Sequence, residues 1–425
     1  MVSAQATEEG FLQRKRQRHS LTPRLPENEH LHLTSRKQQR NNDIEEDIIH
    51  GEHFSNLDVM ESVFNCLNGL VTRMQFSAVC RSWRWVAQHC CPPTQFPWLM
   101  LSTDYQSDDR LLFNFSDNLT HTWNLPEAYR SRCCGSYYGW LIMQTFDNGQ
   151  RQKIFLIDLF SKAKIFLPIM TREYSEDSVD PSMKLMSVIM KVALSSAPKS
   201  NDGAINTNCL VATLDRFGRL YWCRLGDQSW TPQHFNKSTC FEFGEILFHD
   251  GLLFGIEFAG TQIMVLKFDD HHLRFRARRH PSLFSKFGDY VRKADEFIVN
   301  SYMVEWRSHI YFVLLKNRGT GKLTRCDTQV FHTYKLDSGW NLVRVENLGE
   351  GMIFILGNGY TKFISVNDIS PTLNLKGNRI YCLQKSTSSC SSTKVFCPEE
   401  GKWERCPNLS FPNAPEMWYT ARIHY

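Results

Sequence analysis

Length, composition and charge place this chain among folded proteins of ordinary composition. It has 425 residues, of which 42% are hydrophobic, so a sizeable core and more than one domain are expected. The formal net charge of +5 is small for this length and predicts no nucleic-acid partner. No apolar run approaches the ~20 residues of a membrane span. The N-terminus also lacks an apolar signal segment, so we predict no membrane partner and a location in the nucleus, the cytoplasm or both.

The cysteines and histidines do not form a metal-binding pattern. The 14 cysteines include no Cys-x-x-Cys pair, which favours reduced thiols over a zinc or redox site. His30 and His32 share one side of an extended segment, but metal sites need further ligands. We therefore predict no metal and no cofactor.

Residues 1–52 are polar and lack apolar periodicity, which predicts a disordered leader. A basic cluster lies within it at Arg14, Lys15, Arg16 and Arg18. This cluster, Arg14–Arg18, is either a nuclear import signal or an ordinary solvated run.

A helix is predicted to begin near Ser55, because Ser55 and Asp58 have the spacing of a capping box. Apolar residues then recur at helical spacing at Met60, Val63, Phe64 and Leu67. The dipeptide Asn68-Gly69 predicts a break after them.

A second helix is predicted through FSAVCRSWRWVA, residues 76–87, with Thr72 and Gln75 as its capping box. Its apolar stripe consists of Phe76, Val79, Cys80 and Trp83. Consecutive prolines at 92 and 93 end the helical segment.

The helical segment at 53–93 is too short for a self-sufficient core without a metal, disulfides or a partner. Its apolar face therefore either packs on the rest of the chain or forms an interface with another protein. Periodicity alone favours the first alternative.

From residue 94 to 425 the helical period gives way to short apolar strands joined by polar turns. Hairpins are predicted in the segments KIFLIDLFSKAKIFLP, RLYWCRLGDQSWTP, HTYKLDSGWNLVRV and KVFCPEEGKWERCP. The last three contain Trp230, Trp340 and Trp403, which we assign to packing between sheets. Dividing roughly 330 residues by the ~45 of a typical propeller blade predicts an all-β propeller of about seven blades. A pair of β-sandwiches is the alternative.

No catalytic motif accompanies this pattern. The chain lacks the phosphate-binding loop, the nucleophile elbow and the metal-binding HExxH helix. Arg274, Arg276 and Arg278 alternate with apolar residues, as on a strand. A solvated outer strand is favoured for them over a site for acidic protein, phosphate or nucleic acid.

From Phe54 to Ala87 the sequence resembles an F-box, the helical module that docks on the Skp adaptor of cullin-based ubiquitin ligases. The segment AVCRSWR is the most specific part of this resemblance. Later segments resemble, in the same order, a plant-rich group of F-box proteins with a KIB-type domain: PPTQFPWLML, LPEAYRSRCCGSYYGWLIM, IFLIDLFSKAKIFLP and YKLDSGWNLVRVENLGEGMIFILGNG. The resemblance implies a multidomain protein, with a small all-α F-box at 53–93 and a large all-β KIB-type propeller at 94–425.

The resemblance also implies which residues bind the Skp adaptor or hold the F-box helices together. They are Leu57, Val59, Met60, Val63, Phe64, Leu67, Val79, Cys80, Trp83 and Arg84. One departure lies at residues 56–60, Asn-Leu-Asp-Val-Met, where family members usually open with Leu-Pro. The missing proline alters a segment that is expected to contact the adaptor.

The function that the resemblance implies is the substrate-recognition subunit of an SCF-type E3 ubiquitin ligase. Its partners would be the Skp adaptor, the cullin bound through it, and an unidentified protein substrate held by the β domain. Such a subunit is not itself an enzyme. Two alternatives are a non-catalytic binder or inhibitor, for example of a kinase, with a degenerate F-box, and a hydrolase with its site in the propeller channel.

Overall fold

The computed structural model describes three helices and most of a β domain. The described residues are 57–67, 70–90, 96–101, 103, 106–145, 153–170, 189–199, 203–233, 242–257, 263–268, 273–274, 296–318, 329–339, 341–357, 359–369, 373, 375–384, 392–404 and 415–420. The predicted leader, 1–52, lies outside them. The chain divides into two compact units, one of residues 1–68 and 75–90 and the other of residues 69–74 and 91–425. In the described part, no helix is long and apolar enough to cross a membrane.

The helices are α1 at Leu57–Cys66, α2 at Leu70–Val79 and α3 at Arg81–His89. The break predicted at residues 68–69 falls between α1 and α2, as expected. Ser55, the predicted cap of α1, lies outside the described residues. Thr72 lies inside α2 rather than at its start, so the capping box predicted there is wrong.

The prediction of one continuous helix through residues 76–87 is also wrong. Cys80 is extended, with φ −160° and ψ 176°, and separates α2 from α3. The apolar spacing concealed this break, because one extended residue between two helices still lets Trp83 pack on Phe76. Their ring centroids are 4.2 Å apart.

The second unit contains residues 70–74 of α2 and six sheets, each of which is one blade. Blade 1 contains β1 Trp98–Leu101, β2 Asp109–Asn114, β3 Leu119–Asn124 and the C-terminal β25 Pro415–Tyr419. Blade 2 contains β4 Ser131–Tyr137, β5 Trp140–Thr145, β6 Ile154–Asp158 and β7 Lys164–Phe166. Blade 3 contains β8 Ile189–Leu194, β9 Leu210–Asp215, β10 Leu220–Arg224 and β11 Thr231–Pro232.

The remaining blades follow in chain order. Blade 4 contains β12 Phe243–His249, β13 Leu252–Glu257, β14 Ile263–Phe268 and β15 Leu273–Arg274. Blade 5 contains β16 Glu296–Trp306, β17 His309–Arg318, β18 Gln329–Leu336 and β19 Leu342–Val345. Blade 6 contains β20 Met352–Gly357, β21 Tyr360–Ser365, β22 Arg379–Gln384, β23 Ser392–Cys397 and β24 Lys402–Glu404.

The innermost strands form a closed ring. Strand β4 lies beside β8, β8 beside β12, β12 beside β16 and β16 beside β21, and β25 completes the circle beside β21 and β4. This arrangement is a β-propeller, which confirms the predicted fold class and rules out the sandwich pair. The described residues form six blades rather than about seven. The 332 residues from 94 to 425 give about 55 residues per blade, more than the ~45 on which the prediction rested.

The C-terminal strand closes the ring by pairing antiparallel with β1. Trp418 of β25 lies opposite Leu99, and Tyr419 lies opposite Trp98. The Trp418 indole donates a hydrogen bond to the Leu356 carbonyl of blade 6 at 3.2 Å. The Tyr419 hydroxyl donates to the Gly139 carbonyl of blade 2 at 3.0 Å. One strand therefore joins blade 1 to the blades on both of its sides.

All four predicted hairpins are present, as the strand pairs β6–β7, β10–β11, β18–β19 and β23–β24. The Trp230 indole donates to the Pro168 carbonyl and the Trp403 indole to the Gln329 carbonyl, both at 2.7 Å. Each bond joins one blade to the preceding one, so both tryptophans pack between sheets as predicted. Trp340 lies outside the described residues, and so does the arginine row beyond Arg274.

Blade 6 departs from the regular antiparallel pattern. Its strand order is β21-β20-β22-β23-β24, and β20 pairs parallel with β22. The connection between β21 and β22 contains a 3-10 turn at Val366–Asp368. The side-chain oxygen of Asn378, just before β22, accepts a bond from the Leu348 amide at 2.9 Å and so anchors the crossover.

We expect Trp418→Ala to destabilise the propeller strongly, because it removes a fully buried indole at the ring closure. The expected loss is about 3–5 kcal/mol of unfolding free energy, measured by denaturant unfolding. Val343→Ala on the exposed side of β19 is the control and should cost less than about 0.5 kcal/mol. Equal losses in both variants would contradict a special role for the closure.

Candidate functional site

The helical unit has a small core built from all three helices. Phe64 of α1 packs edge to face on Phe76 of α2, with ring centroids 5.2 Å apart, and the Trp83 ring of α3 lies 4.2 Å from that of Phe76. The buried cluster consists of Phe64, Phe76, Val86, Ala87 and Cys90. Met60, Leu67, Trp83 and Trp85 pack around it. So few buried side chains hold three helices only weakly, which favours a partner for this unit.

Three valines of the same unit are exposed to solvent. The exposed fractions are 52% for Val59, 42% for Val63 and 60% for Val79. Val59 and Val63 are four residues apart in α1 and so share one face of that helix. Val79 is the last residue of α2. Apolar side chains left exposed on a unit with so small a core are typical of a protein-binding surface.

The structure divides the predicted adaptor-site residues into two groups. Those in or against the core are Met60, Phe64, Leu67 and Trp83. Those that are exposed are Val59, Val63, Val79, Cys80 and Arg84. Leu57 begins α1, but its side chain is outside the described part. We refer to Val59, Val63 and Val79 as the exposed valines.

The junction between α2 and α3 places Val79 and Cys80 at the surface. Cys80 is the N-cap residue of α3 and makes no side-chain capping bond. The Arg84 side chain reaches back across the junction, and its Nε donates to the Ser77 carbonyl at 3.4 Å. This bond links the two helices on either side of the exposed residues.

In the propeller, the inner strands hold a buried ion pair. Lys191 Nζ of β8 lies 2.6 Å from Glu245 Oε2 of β12, and both side chains are nearly inaccessible. The Lys191 ammonium also lies 5.8 Å from the centre of the Tyr302 ring on β16. Burial raises the pKa of Tyr302 well above its usual value, so its phenol stays protonated. These contacts connect blades 3, 4 and 5 at the centre of the ring.

The alternative of a hydrolase with its site in the propeller channel predicts converging carboxylates or histidines. On the described inner strands, Glu245 pairs with Lys191, and His249 of β12 lies near two carboxylates, with its Nδ1 3.1 Å from Glu305 Oε1 of β16 and its Nε2 3.4 Å from Asp250 Oδ2. Across the described chain, no group of three His, Cys, Asp or Glu side chains is arranged to hold a metal ion.

The fold places this chain in the class of β-propeller proteins, with six blades that follow a short helical module in the sequence. The family model described as the KIB1-4 β-propeller matches residues 112–401, and the chain belongs to that family.

Two relatives from Arabidopsis thaliana are F-box proteins. One, a probable F-box protein, is 28% identical over 127 residues, which cover 29% of this chain and 31% of the relative. The other is 30% identical over 110 residues, covering 25% of this chain and 26% of the relative. The chain thus spans less than a third of the length of these relatives. Family and relatives confirm the prediction of a plant F-box protein with a KIB-type propeller.

Among solved structures, TolB from Acinetobacter baumannii is similar with a TM-score of 0.37 and 10% identity. The match covers 79% of this chain and 70% of TolB. A similarity this low carries no functional argument.

The sequence suggested candidate adaptor-site residues but did not predict which of them are exposed. Val63 and Phe64 are adjacent and equally apolar, yet Val63 is exposed and Phe64 is fully buried. The 3.6-residue period could not separate them, because both fall within one broad apolar stripe. The Lys191–Glu245 pair was missed entirely, since nothing in the sequence links residues that lie 54 positions apart in different blades.

We expect Val63→Asp to leave the helical unit folded, because the side chain is already solvated. Phe64→Ala removes a buried ring and should cost about 3–5 kcal/mol of local stability. Hydrogen exchange of the amides of α1 and α3 measures both effects in the full chain. Faster exchange in Val63→Asp than in Phe64→Ala would contradict this assignment of the two residues.

We expect Lys191→Met to destabilise the propeller by about 3–5 kcal/mol, because Glu245 stays buried without its cation. The double variant Lys191→Met/Glu245→Leu should recover most of the loss, since it leaves no buried charge unpaired. Denaturant unfolding of the four proteins in this cycle gives the coupling energy between the two sites. A coupling of zero would show that the pair contributes nothing.

Proposed function

We propose that this protein is the substrate-recognition subunit of an SCF-type E3 ubiquitin ligase. Its F-box, residues 53–93, binds the Skp adaptor and through it the cullin. Its KIB-type propeller, residues 94–425, holds an unidentified protein substrate. The observation that carries the proposal is the set of exposed valines on a helical unit with a very small core of its own.

The proposed adaptor surface consists of Val59, Val63 and Val79, with Cys80 and Arg84 at its edge. Burying three half-exposed valines against a partner contributes favourably at roughly 25 cal/mol per Å² of apolar area. Phe64 and Trp83 support this surface from beneath by fixing the positions of the helices. The proposal therefore separates contact residues from supporting residues within the set that the F-box resemblance implies.

The proposed mechanism requires positioning rather than catalysis by this chain. Holding a substrate near a ubiquitin-charged enzyme raises the effective concentration of the substrate lysines. A closed propeller suits this task, because its turns are fixed on a rigid ring of strands. The proposed location is the nucleus, the cytoplasm or both, with Arg14–Arg18 as an import signal that a reporter fusion can test.

We expect the full chain to retain a purified Skp adaptor in a pull-down and in a titration. Val63→Asp and Val79→Asp should each weaken this binding at least tenfold, because a carboxylate would be desolvated at an apolar contact. Val343→Asp, a matched exposed valine on β19 of the propeller, should leave adaptor affinity unchanged.

Failure of the unmodified chain to bind any Skp adaptor would overturn the proposal. It would favour the alternative, a stoichiometric binder or inhibitor, for example of a kinase, with a degenerate F-box. The lifetime of captured partners further distinguishes a ligase subunit from a stoichiometric binder or inhibitor. Cullin inhibition should lengthen the lifetime of a ligase substrate and leave that of an inhibited partner unchanged.

A further inference from the structure

Helix α2 contributes residues to both compact units of the chain. It is a single helix that runs from Leu70 to Val79. Residues 70–74 belong to the unit that contains the propeller, whereas residues 75–79 belong to the helical unit. A helix of ten residues is only marginally stable by itself in water, so α2 depends on what each of its halves packs against.

The first half of α2 packs on a buried cluster of the propeller. Val71 and Met74 lie against a cluster that extends over blades 1, 2 and 6. This cluster includes Trp98 and Trp418, which lie on the two strands that pair at the ring closure, and we call it the closure cluster. Arg73, in the same half of the helix, is also buried, with an exposed fraction of 5%. The first half of α2 is therefore held by the side chains that close the ring.

The second half of α2 supplies the ring at the middle of the helical core. The Phe76 ring contacts Phe64 of α1 and Trp83 of α3, at centroid distances of 5.2 Å and 4.2 Å. Val79, the last residue of α2, is one of the exposed valines. Because the core cluster of this unit contains only five buried residues, the packing of α1 and α3 depends strongly on Phe76.

One helix thus connects the ring closure with the proposed adaptor surface. If the closure cluster is lost, Val71 and Met74 lose their support and the first half of α2 is no longer held. The second half cannot persist as a helix by itself, because so few residues do not offset the cost of helix nucleation. Phe76 then no longer joins α1 to α3, and Val79 is not held in place. The exposed valines keep their positions only while the propeller is folded.

We infer that Skp adaptor binding by this chain is coupled to the folding of its propeller, and that α2 is the coupling element. A chain whose ring has not closed lacks a binding-competent helical unit and does not join the ligase. The apparent adaptor affinity falls in proportion to the fraction of chains in which α2 is held. This inference rests on the proposed function of the helical unit and adds a conformational control to it.

The first test needs no adaptor and measures hydrogen exchange of the amides of α1 and α3 in the full chain. Met74→Ala removes contacts with the closure cluster and should speed this exchange about tenfold, and Val71→Ala should act in the same direction. Gln75→Ala, at an exposed position of the same helix, is the matched control and should change the exchange less than about twofold.

Helix propensity by itself predicts slower exchange in all three variants, because alanine is the best helix former. Faster exchange in Met74→Ala and Val71→Ala therefore reports the lost contacts with the propeller. Unchanged exchange in these two variants, or an equal change in Gln75→Ala, would overturn the inference.

The second test adds a purified Skp adaptor to the unmodified chain and follows the slowest amides of β1 and β25. If unfolding of the propeller releases the adaptor, binding slows their exchange, by up to about 100-fold when the free adaptor is at about 100 times its Kd. We expect a slowing of at least about tenfold under these conditions. Slower exchange confined to α1, α2 and α3 would overturn the inference and leave the proposed function intact. Failure to bind any Skp adaptor would overturn both, so the two failures are distinguishable.

Discussion

The pairing of β25 with β1 is the contact on which the rest of the propeller depends. It brings together residues that lie more than 300 positions apart, so the loop-closure entropy for these ends is large. Without it, β1 would expose an unpaired edge. Trp98, Trp418 and Tyr419 offset this cost, because all three are almost completely buried at the seam. The closure therefore depends on large aromatic side chains placed near both ends of the β domain.

Closing the ring also forces backbones close together at its centre. Gly359, at φ +67°, lies so near β4 that a Cβ atom would come within 2.2 Å of the Cys134 carbonyl oxygen. The Gly359 carbonyl uses this proximity to accept the Ser136 amide at 3.2 Å. Only glycine satisfies both the backbone angle and the contact. Elsewhere in the ring, the buried Lys191–Glu245 ion pair joins the inner strands of blades 3 and 4.

Local features of the fold could be read from the sequence, whereas features set by the ring could not. The hairpins ending at Trp230 and Trp403 were predictable, because turn residues and strand alternation act over a few positions. The number of blades depends on the length of chain between the strands. The alternation of apolar and polar residues within strands does not report that length. The parallel pairing of β20 with β22 could not be predicted either, since the sequence of a single strand does not reveal the direction of its partner. Such pairings depend on contacts between distant parts of the chain.

The exposure of the candidate adaptor-site residues could not be predicted from the sequence either. The F-box resemblance named its residues, but burial is decided by how Phe64, Phe76 and Trp83 stack across three helices. The extended Cys80 allows that stack, and its placement also leaves Val79 at the surface. The exposure of Val79 thus follows from a backbone conformation that the apolar period did not reveal.

The turn between β9 and β10 owes its geometry to the closed ring as well as to its own residues. Gly218, at φ +69°, has its carbonyl bonded to Phe243, the first residue of the next inner strand. A Cβ atom at this position would lie 2.6 Å from the Phe243 oxygen, so the turn can sit there only because the residue is glycine. The spacing between blades 3 and 4 therefore sets where Arg216 and Phe217 stand. Since that spacing is fixed only when the ring is complete, the seam at β25 contributes to the shape of a surface on the far side of the propeller.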